Sequence, residues 1–230
     1  MQQIPLPIHQ LDDDTLDNFY GDNNLLPLKS LRKNFVEPTQ PIFYLWGEKG
    51  CGKSHLLKAV ARHFLDEQRA ALYVPLSEAT HFTPAVLDNL EQLDAVCLDD
   101  LQTIIGQWEW EVAVFDLINR IKETRQTLLL ISASQSPGAL QTQLPDLASR
   151  LSWGEIYHLN PLTEEQQIIV LQQKAHQRGI ELPADTAYFL IKRINRDMHT
   201  LINALIQLDK ASLQAQRKLT IPFTKEILGL

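Results

Sequence analysis

The chain is poor in several things, and each shortage closes a class of protein. Its 230 residues include only two cysteines, Cys51 and Cys97. Two thiols cannot staple a disulfide scaffold, and neither has metal-ligand spacing, so both are expected to stay reduced in a cytosol. His55, His63 and His81 also lack metal spacing. No apolar run approaches the roughly 20 residues that a membrane-spanning helix needs. The N-terminus has no basic stretch followed by an apolar segment, so it does not read as a secretory signal, and a cytoplasmic location is expected. There is no excess of positive charge. The formal net charge is −7; residues 1–150 carry 12 Lys+Arg against 20 Asp+Glu, and residues 151–230 carry 9 against 8. Affinity for nucleic acid comes chiefly from neutralising phosphates, so direct DNA binding is not the expected main task. The small basic spots at Arg193 and Arg196, and at Arg217 and Lys218, read as solvated helix faces. Internal repeats and low-complexity stretches are missing too. What is present is a hydrophobic fraction of 44%, enough for a packed core in one large domain with a small appendage.

One loop dominates what is there. Gly47-Glu48-Lys49-Gly50-Cys51-Gly52-Lys53-Ser54 fits G-x-x-x-x-G-K-[ST] at every fixed position. An apolar stretch, Ile42–Trp46, precedes it and reads as a buried strand. Apolar residues at helical spacing follow from Leu56 to Phe64. Strand, glycine loop and helix is the setting that makes this pattern a phosphate cradle. Backbone N–H groups turn inward around the phosphate, and the N-terminus of the next helix adds to the field. Lys53 is then placed to reach β- and γ-phosphates, and the Ser54 hydroxyl to serve Mg²⁺; Gly47, Gly50, Cys51, Gly52 and His55 complete the nucleotide-binding loop. A second motif, residues 94–100, is an apolar strand ending in Asp99-Asp100. A strand-end carboxylate suits the magnesium shell, the role expected of Asp99, and Asp100 is placed to orient or deprotonate an attacking water.

The remaining pattern gives the fold. Residues 71–76, 127–132 and 155–159 read as further strands, so five strands alternate with helical crossovers in a doubly wound α/β sheet. A helix is expected over Trp108–Thr124, with Val112, Phe115, Ile118, Asn119 and Ile121 inward and both Trp108 and Trp110 packing it. From Pro161 the pattern turns wholly helical. Thr163-Glu164-Glu165-Gln166 is a capping box, Arg178-Gly179 ends that helix, Pro183 starts the next, residues 198–216 fit a third, and Pro222 opens a short last one.

An acid pair downstream of a P-loop and a helical tail resemble the P-loop ATPases of the AAA+ kind, with a five-stranded parallel sheet, helices on both faces and a small C-terminal all-helical lid. The chain is similar to the ATPase part of DnaA, the bacterial replication initiator. Phe19-Tyr20-Gly21-Asp22-Asn23 resembles the F-x-x-G-x-x-N segment that touches adenine in that family, which implicates Phe19, Tyr20 and Asn23 in nucleotide binding. The segment from Leu144 to Gly154 resembles its arginine-finger segment, which makes Arg150 a finger acting in trans; the plainer alternative is a salt bridge to Asp146, one turn back. Ser132 or Ser134 would be the polar sensor near the γ-phosphate. Ile180-Glu181-Leu182-Pro183 and Ile191-Lys192-Arg193 match the start of its lid. At the place of the usual lid sensor arginine stands His199, which weakens the expectation of efficient hydrolysis by the chain itself.

The sequence ends after the lid, without DnaA's helix-turn-helix or extra N-terminal domain. It also begins with Gln3-Ile4-Pro5-Leu6-Pro7-Ile8, similar to the Q-x-x-L-P-L peptide that binds the polymerase sliding clamp in Hda proteins, the DnaA-related regulators. In such a peptide Gln3 hydrogen-bonds at the rim, Leu6 and Ile8 fill apolar pockets, Ile4 and Pro7 line the contact, and the prolines keep the chain extended. The resemblance to the Hda family implies a clamp-binding tail over residues 1–11, an AAA+ nucleotide-binding domain over 12–160 and a lid over 161–230. It implies ADP or ATP with Mg²⁺ as cofactors. It implies DnaA and the DNA-loaded β clamp of DNA polymerase III as partners, with self-association left open. The expected function is negative regulation of replication initiation: stimulating hydrolysis of DnaA-bound ATP rather than acting as a stand-alone enzyme. A DnaA-related helicase-loader ATPase is the alternative. A small-molecule P-loop kinase fits less well, because its lid is usually an insertion rather than a C-terminal bundle.

Overall fold

The computed structural model describes residues 14–37, 39–194 and 198–230. The chain divides into two compact units: residues up to Glu48 with Gly52–Asn160, and Pro161–Leu230 with Lys49–Cys51 of the glycine loop. The first is an α/β unit. Its five strands are β1 (Ile42–Trp46), β2 (Ala71–Pro75), β3 (Ala95–Asp99), β4 (Leu128–Ala133) and β5 (Glu155–His158). They pair in the order β2-β3-β4-β1-β5, every neighbour parallel. The helices are α1 (Leu25–Val36), α2 (Lys53–Asp66), α3 (Trp108–Thr124) and α4 (Pro145–Leu151).

The three inner strands explain the unbroken apolar runs. All residues of β3 and β4 are buried, as are the first four of β1, because a parallel sheet is covered on both faces. Side chains alternate between two layers. Ile42, Tyr44, Val96, Leu98, Leu129 and Ile131 join Trp110, Val114, Leu117, Ile118 and Ile121 of α3 and Leu147 and Leu151 of α4 in one core. Edge strand β5 shows the other regime, with half-buried and exposed residues in turn.

Two sequence expectations shift here. On α3 the buried line runs through Trp110, Val114, Leu117, Ile118 and Ile121, while Val112, Phe115 and Asn119 are only partly buried. The stripe is rotated from the one expected, and Trp108 is exposed while Trp110 packs edge-on against Phe82. Helix α1 has no periodic signature in the sequence. It buries only Pro27, Leu31 and Asn34 and leaves Leu25, Leu26 and Val36 exposed, so its apolar residues do not form the stripe that betrays a helix.

The second unit is all helical: α5 (Glu164–Gln177), α6 (Ala184–Arg193), α7 (Met198–Ala215) and α8 (Ile221–Leu228). The capping box is present in both directions: the Gln166 N–H donates to Thr163 Oγ1 and the Thr163 N–H to Gln166 Oε1. Leu171, Leu190, Ile191, Leu201, Leu205, Leu208 and Phe223 form its core. Among the described residues no helix is long and apolar enough to cross a membrane.

Candidate functional site

The glycine loop leaves β1 and ends at Gly52, which sits at the N-terminus of α2 in left-handed conformation, φ 100°. A Cβ there would lie 3.0 Å from the ring of Phe19, so glycine serves both the turn and the close approach. The Lys53 side chain is buried and curls back, its ammonium donating to Gly47 O at 2.8 Å and Glu48 O at 2.9 Å. The loop is thus closed around its own lysine. Ser54 and His55 follow in the first helical turn, both half-buried. The two His55 ring nitrogens face oxygen acceptors, Asp14 Oδ1 at 3.0 Å and Thr15 O at 3.1 Å, and its ring lies 5.6 Å from that of Phe19. Residues 14–19 are therefore fastened to the start of α2, next to the glycine loop. Tyr20 is half-buried in the same segment.

Asn23 is exposed, whereas Asn24 is buried. The Asn24 amide clasps the backbone of Asn160, donating to its carbonyl and accepting from its N–H, each at 2.9 Å. The signal was in the sequence, since G-x-x-N counted from Gly21 lands on Asn24.

The acid pair stands at the C-terminal end of β3. Asp99 is buried; its Oδ2 accepts from the Tyr73 hydroxyl at 2.6 Å and its Oδ1 from the Ser132 hydroxyl. Burial, then the Asp99 carboxylate, holds the Tyr73 phenol well above its ordinary range. Asp100 has a left-handed backbone, φ 60°, which is strained for a residue with a Cβ. Its N–H donates to Ser132 Oγ at 2.9 Å, its carbonyl accepts from Thr103 Oγ1 at 2.7 Å, and its Oδ1 accepts from the Gln102 amide at 2.9 Å. Ser132 thus ties the two acids together. Ser134 is exposed, and its N–H donates to Gln102 Oε1. Tyr73 and Gln102 escaped the sequence reading because their places depend on strand order and on a turn. Burial also pushes the Cys97 thiol up, with Asp99 adding to it; Cys51 and Cys97 are both buried and form no disulfide.

The donor chemistry suits a magnesium ion: a hydroxyl, Ser54, and a carboxylate, Asp99, are hard oxygen ligands, and Mg²⁺ takes most of its shell from water and phosphate. Among the described residues no group of three or more His, Cys, Asp or Glu is placed to hold a metal.

Arg150 lies on α4 in a neutral seat. Its Nε donates to Asn119 Oδ1 at 2.9 Å, and its guanidinium stands 3.9 Å from the Trp153 ring centroid and 5.1 Å from that of Phe115. No ion pair joins it to Asp146 among the described residues; Asn119 and the two rings take that place. The start of α4 is pinned by a buried carboxylate: Glu111 accepts from the N–H groups of Gly106 and Leu144, both at 2.7 Å. At Gly154 an added Cβ would stand 2.1 Å from Ile42 O, so the backbone of that segment lies directly on β1. In the helical unit His199 is exposed in the first turn of α7, with Nδ1 3.2 Å from the Asn203 amide. Gln3, Ile4, Leu6, Pro7, Ile8 and Arg196 lie outside the described residues.

Comparison with known proteins agrees with this architecture. Residues 13–158 match the bacterial DnaA ATPase domain and residues 164–228 match the Hda lid domain. An uncharacterised protein of Haemophilus influenzae is 65% identical over 229 residues, covering 100% of this chain and 99% of its own. Domain III of the Thermotoga maritima replication initiation protein DnaA superposes with a TM-score of 0.80 at 19% identity, over 95% of this chain and 96% of that one. AMPPCP-bound DnaA from Aquifex aeolicus gives 0.69 at 20% identity, over 88% and 68%. Thermotoga maritima RuvB gives 0.71 at 16%, over 95% and 72%. At these identities the structural matches establish the fold: a parallel AAA+ sheet followed by a helical lid. The chain belongs to the DnaA-related AAA+ family, as a protein of the Hda type.

Proposed function

We propose that this protein is a negative regulator of replication initiation, which binds an adenine nucleotide in its own P-loop and, on the DNA-loaded sliding clamp, presents Arg150 to ATP held by DnaA. The observation that carries this reading is the Arg150 seat. Among the described residues the guanidinium meets an amide oxygen and two rings, all neutral, and the hydrogen bond to Asn119 uses Nε. Among the described residues the Nη edge meets no carboxylate, which leaves its donors and its charge for an anion brought by another molecule. That edge matches phosphate oxygens in a two-pronged way.

In the chain's own site, Gly47, Gly50, Cys51 and Gly52 supply backbone donors to phosphate. Lys53 leaves the loop carbonyls for the β- and γ-phosphates, and Phe19 and Tyr20 border the base. Ser54 and Asp99 hold Mg²⁺, which when bound neutralises phosphate charge. Ser132 and Ser134 close the γ-phosphate end, and His199 is assigned the sensor role that an arginine of the lid holds in the family. Residues 1–11 are assigned to the clamp through Gln3, Ile4, Leu6, Pro7 and Ile8, residues 12–160 to the nucleotide domain and residues 161–230 to the lid.

The test follows radiolabelled ATP on DnaA in the presence of clamp-loaded DNA. Wild-type protein accelerates its conversion to ADP. Arg150→Ala binds ADP and clamp as before, yet loses about 10³-fold of the stimulation, the usual cost of removing a finger. Replacing Gln3 and Leu6 with Ala abolishes clamp binding without lowering Tm. Full stimulation by Arg150→Ala would make that residue structural, and no stimulation by wild type would refute the regulatory reading.

A further inference from the structure

The acid pair shows an arrangement that the finger mechanism leaves unexplained. Asp100 is held at its N–H, its carbonyl and its carboxylate. Ser132 accepts from its N–H, Thr103 donates to its carbonyl, and the Gln102 amide donates to its carboxylate. The first two act on the backbone, whose φ is 60°. The third acts on the side chain alone. Gln102 is itself fixed, because its Oε1 accepts the Ser134 N–H at 2.9 Å while its Nε2 donates to Asp100 Oδ1 at 2.9 Å. Its amide orientation is therefore set at both ends, and two bonds in series polarise each other. Residues at both ends of this bridge, Asp100 and Ser134, follow the C-terminal ends of the adjacent parallel strands β3 and β4.

We propose that Gln102 is a latch: its amide holds the Asp100 carboxylate against the turn that follows β3 and keeps it from orienting a water on the nucleotide bound in the same chain. The inference rests on the reading of this site as one that takes ATP, and it concerns the chain's own ATP, whereas Arg150 acts on another molecule's. In the reaction withheld, the water oxygen bonds to the γ-phosphorus as the bond from that phosphorus to the β,γ-bridging oxygen breaks. ADP leaves with the electron pair, one water proton stays on inorganic phosphate and the other passes to solvent. Asp100 contributes only by accepting a hydrogen bond from the water, the positioning part that such reactions require. A side chain clasped by a protein amide does this poorly. The latch leaves the bound nucleotide a lasting ligand while Arg150 works in trans.

The experiment is single-turnover hydrolysis of radiolabelled ATP by the full chain with Mg²⁺ and without DnaA, beside ADP affinity by calorimetry. Gln102→Ala removes both bonds of the bridge. Gln102→Glu keeps an acceptor for the Ser134 N–H, removes the donor to Asp100 and sets a second carboxylate beside it. Both variants are expected to hydrolyse their own ATP about tenfold faster than wild type, a modest share of what positioning contributes. ADP affinity stays within about twofold, since neither variant touches the glycine loop. Adding Asp100→Asn to either variant returns the rate to the wild-type level. Rates at or below wild type in Gln102→Glu, at unchanged ADP affinity, would overturn the latch, as would acceleration that survives Asp100→Asn. Failure of wild type to bind ADP at all is a separate result, which would remove the nucleotide reading itself.

Discussion

The charged groups of the P-loop end and the finger helix are hydrogen-bonded by their own chain to different degrees. In the first region Lys53, Asp99 and Asp100 each meet partners of their own chain. Lys53 donates to two loop carbonyls, Asp99 accepts from two hydroxyls and Asp100 accepts from an amide. On α4, Arg150 is steadied by an amide oxygen and two rings. A charge matched by internal partners is cheap to bury and needs a ligand that competes with those partners. Among the described residues the Arg150 guanidinium gives only its Nε–H to such a partner, so it is fixed in place with its Nη donors left for an anion. The first arrangement suits a resident ligand that the fold closes upon; the second suits an anion that arrives on another protein.

The sharpest way to break this contrast is at Lys53. Its carbonyl partners belong to the loop, so Lys53→Ala loses both the phosphate ligand and the tie that closes the loop. ADP affinity is expected to fall on the order of 10²-fold, the worth of one or two bonds to a charged group. The rise in Tm on adding ADP then disappears, because a ligand stabilises only the state it binds. Equal ADP-dependent stabilisation of wild type and variant, read by calorimetric scanning, would take Lys53 out of the site.

A smaller effect tests how dry the sheet behind the loop is. Tyr44 on β1 is buried and donates to Gln135 O at 2.8 Å. Burial holds its phenol above the ordinary value of 10.0. The sign follows from linkage. The unfolded chain loses this proton near pH 10 and the folded chain keeps it to higher pH, so the contribution is whole below pH 10 and is lost as pH rises beyond it. The expected slope is at most about 1.4 kcal/mol per pH unit. Tyr44→Phe should flatten urea-derived stability between pH 10 and 11 relative to wild type; an unchanged slope would mean that the phenol ionises in the fold.

The sequence displayed some of these features and hid others for physical reasons. Ile42–Trp46 and the glycine loop were legible because a buried parallel strand must be apolar throughout and a phosphate turn must be rich in glycine. Thr163 to Gln166 was legible because capping is local. The lines of α3 were not. Phe115 and Asn119 read as one inward stripe with Val112, yet the core takes the stripe through Trp110 and Val114, and these two residues turn instead toward α4 to seat Arg150. Tyr73 could not be tied to Asp99 without knowing that β2 lies beside β3. Asp146 is one turn from Arg150 on the same helix, so local spacing favoured an ion pair. The partner chosen was on another helix, 31 positions away, and its neutrality is the property that bears on function.

The finest test of the contrast is at Trp153, because it alters the seat without touching the finger or its hydrogen bond. The indole is half-buried and carries two cations, Arg150 at 3.9 Å and Lys122 at 5.3 Å from its centroid. A cation over an aromatic face contributes about 1 kcal/mol at a half-buried site. Trp153→Leu keeps apolar volume and removes the face, so the guanidinium is held by Asn119 and Phe115 alone and samples more directions. Stimulated hydrolysis on DnaA should fall about fivefold, the equivalent of that energy. The loss should appear in the maximal rate at saturating protein, not in the concentration needed for half-effect, because the group that docks is unchanged and only its aim is loosened. ADP affinity should not move, since Trp153 is not among the residues of the glycine loop or the acid pair. A loss confined to the half-effect concentration would make Trp153 part of the docking surface. An unchanged rate would mean that Asn119 and Phe115 aim the guanidinium without it.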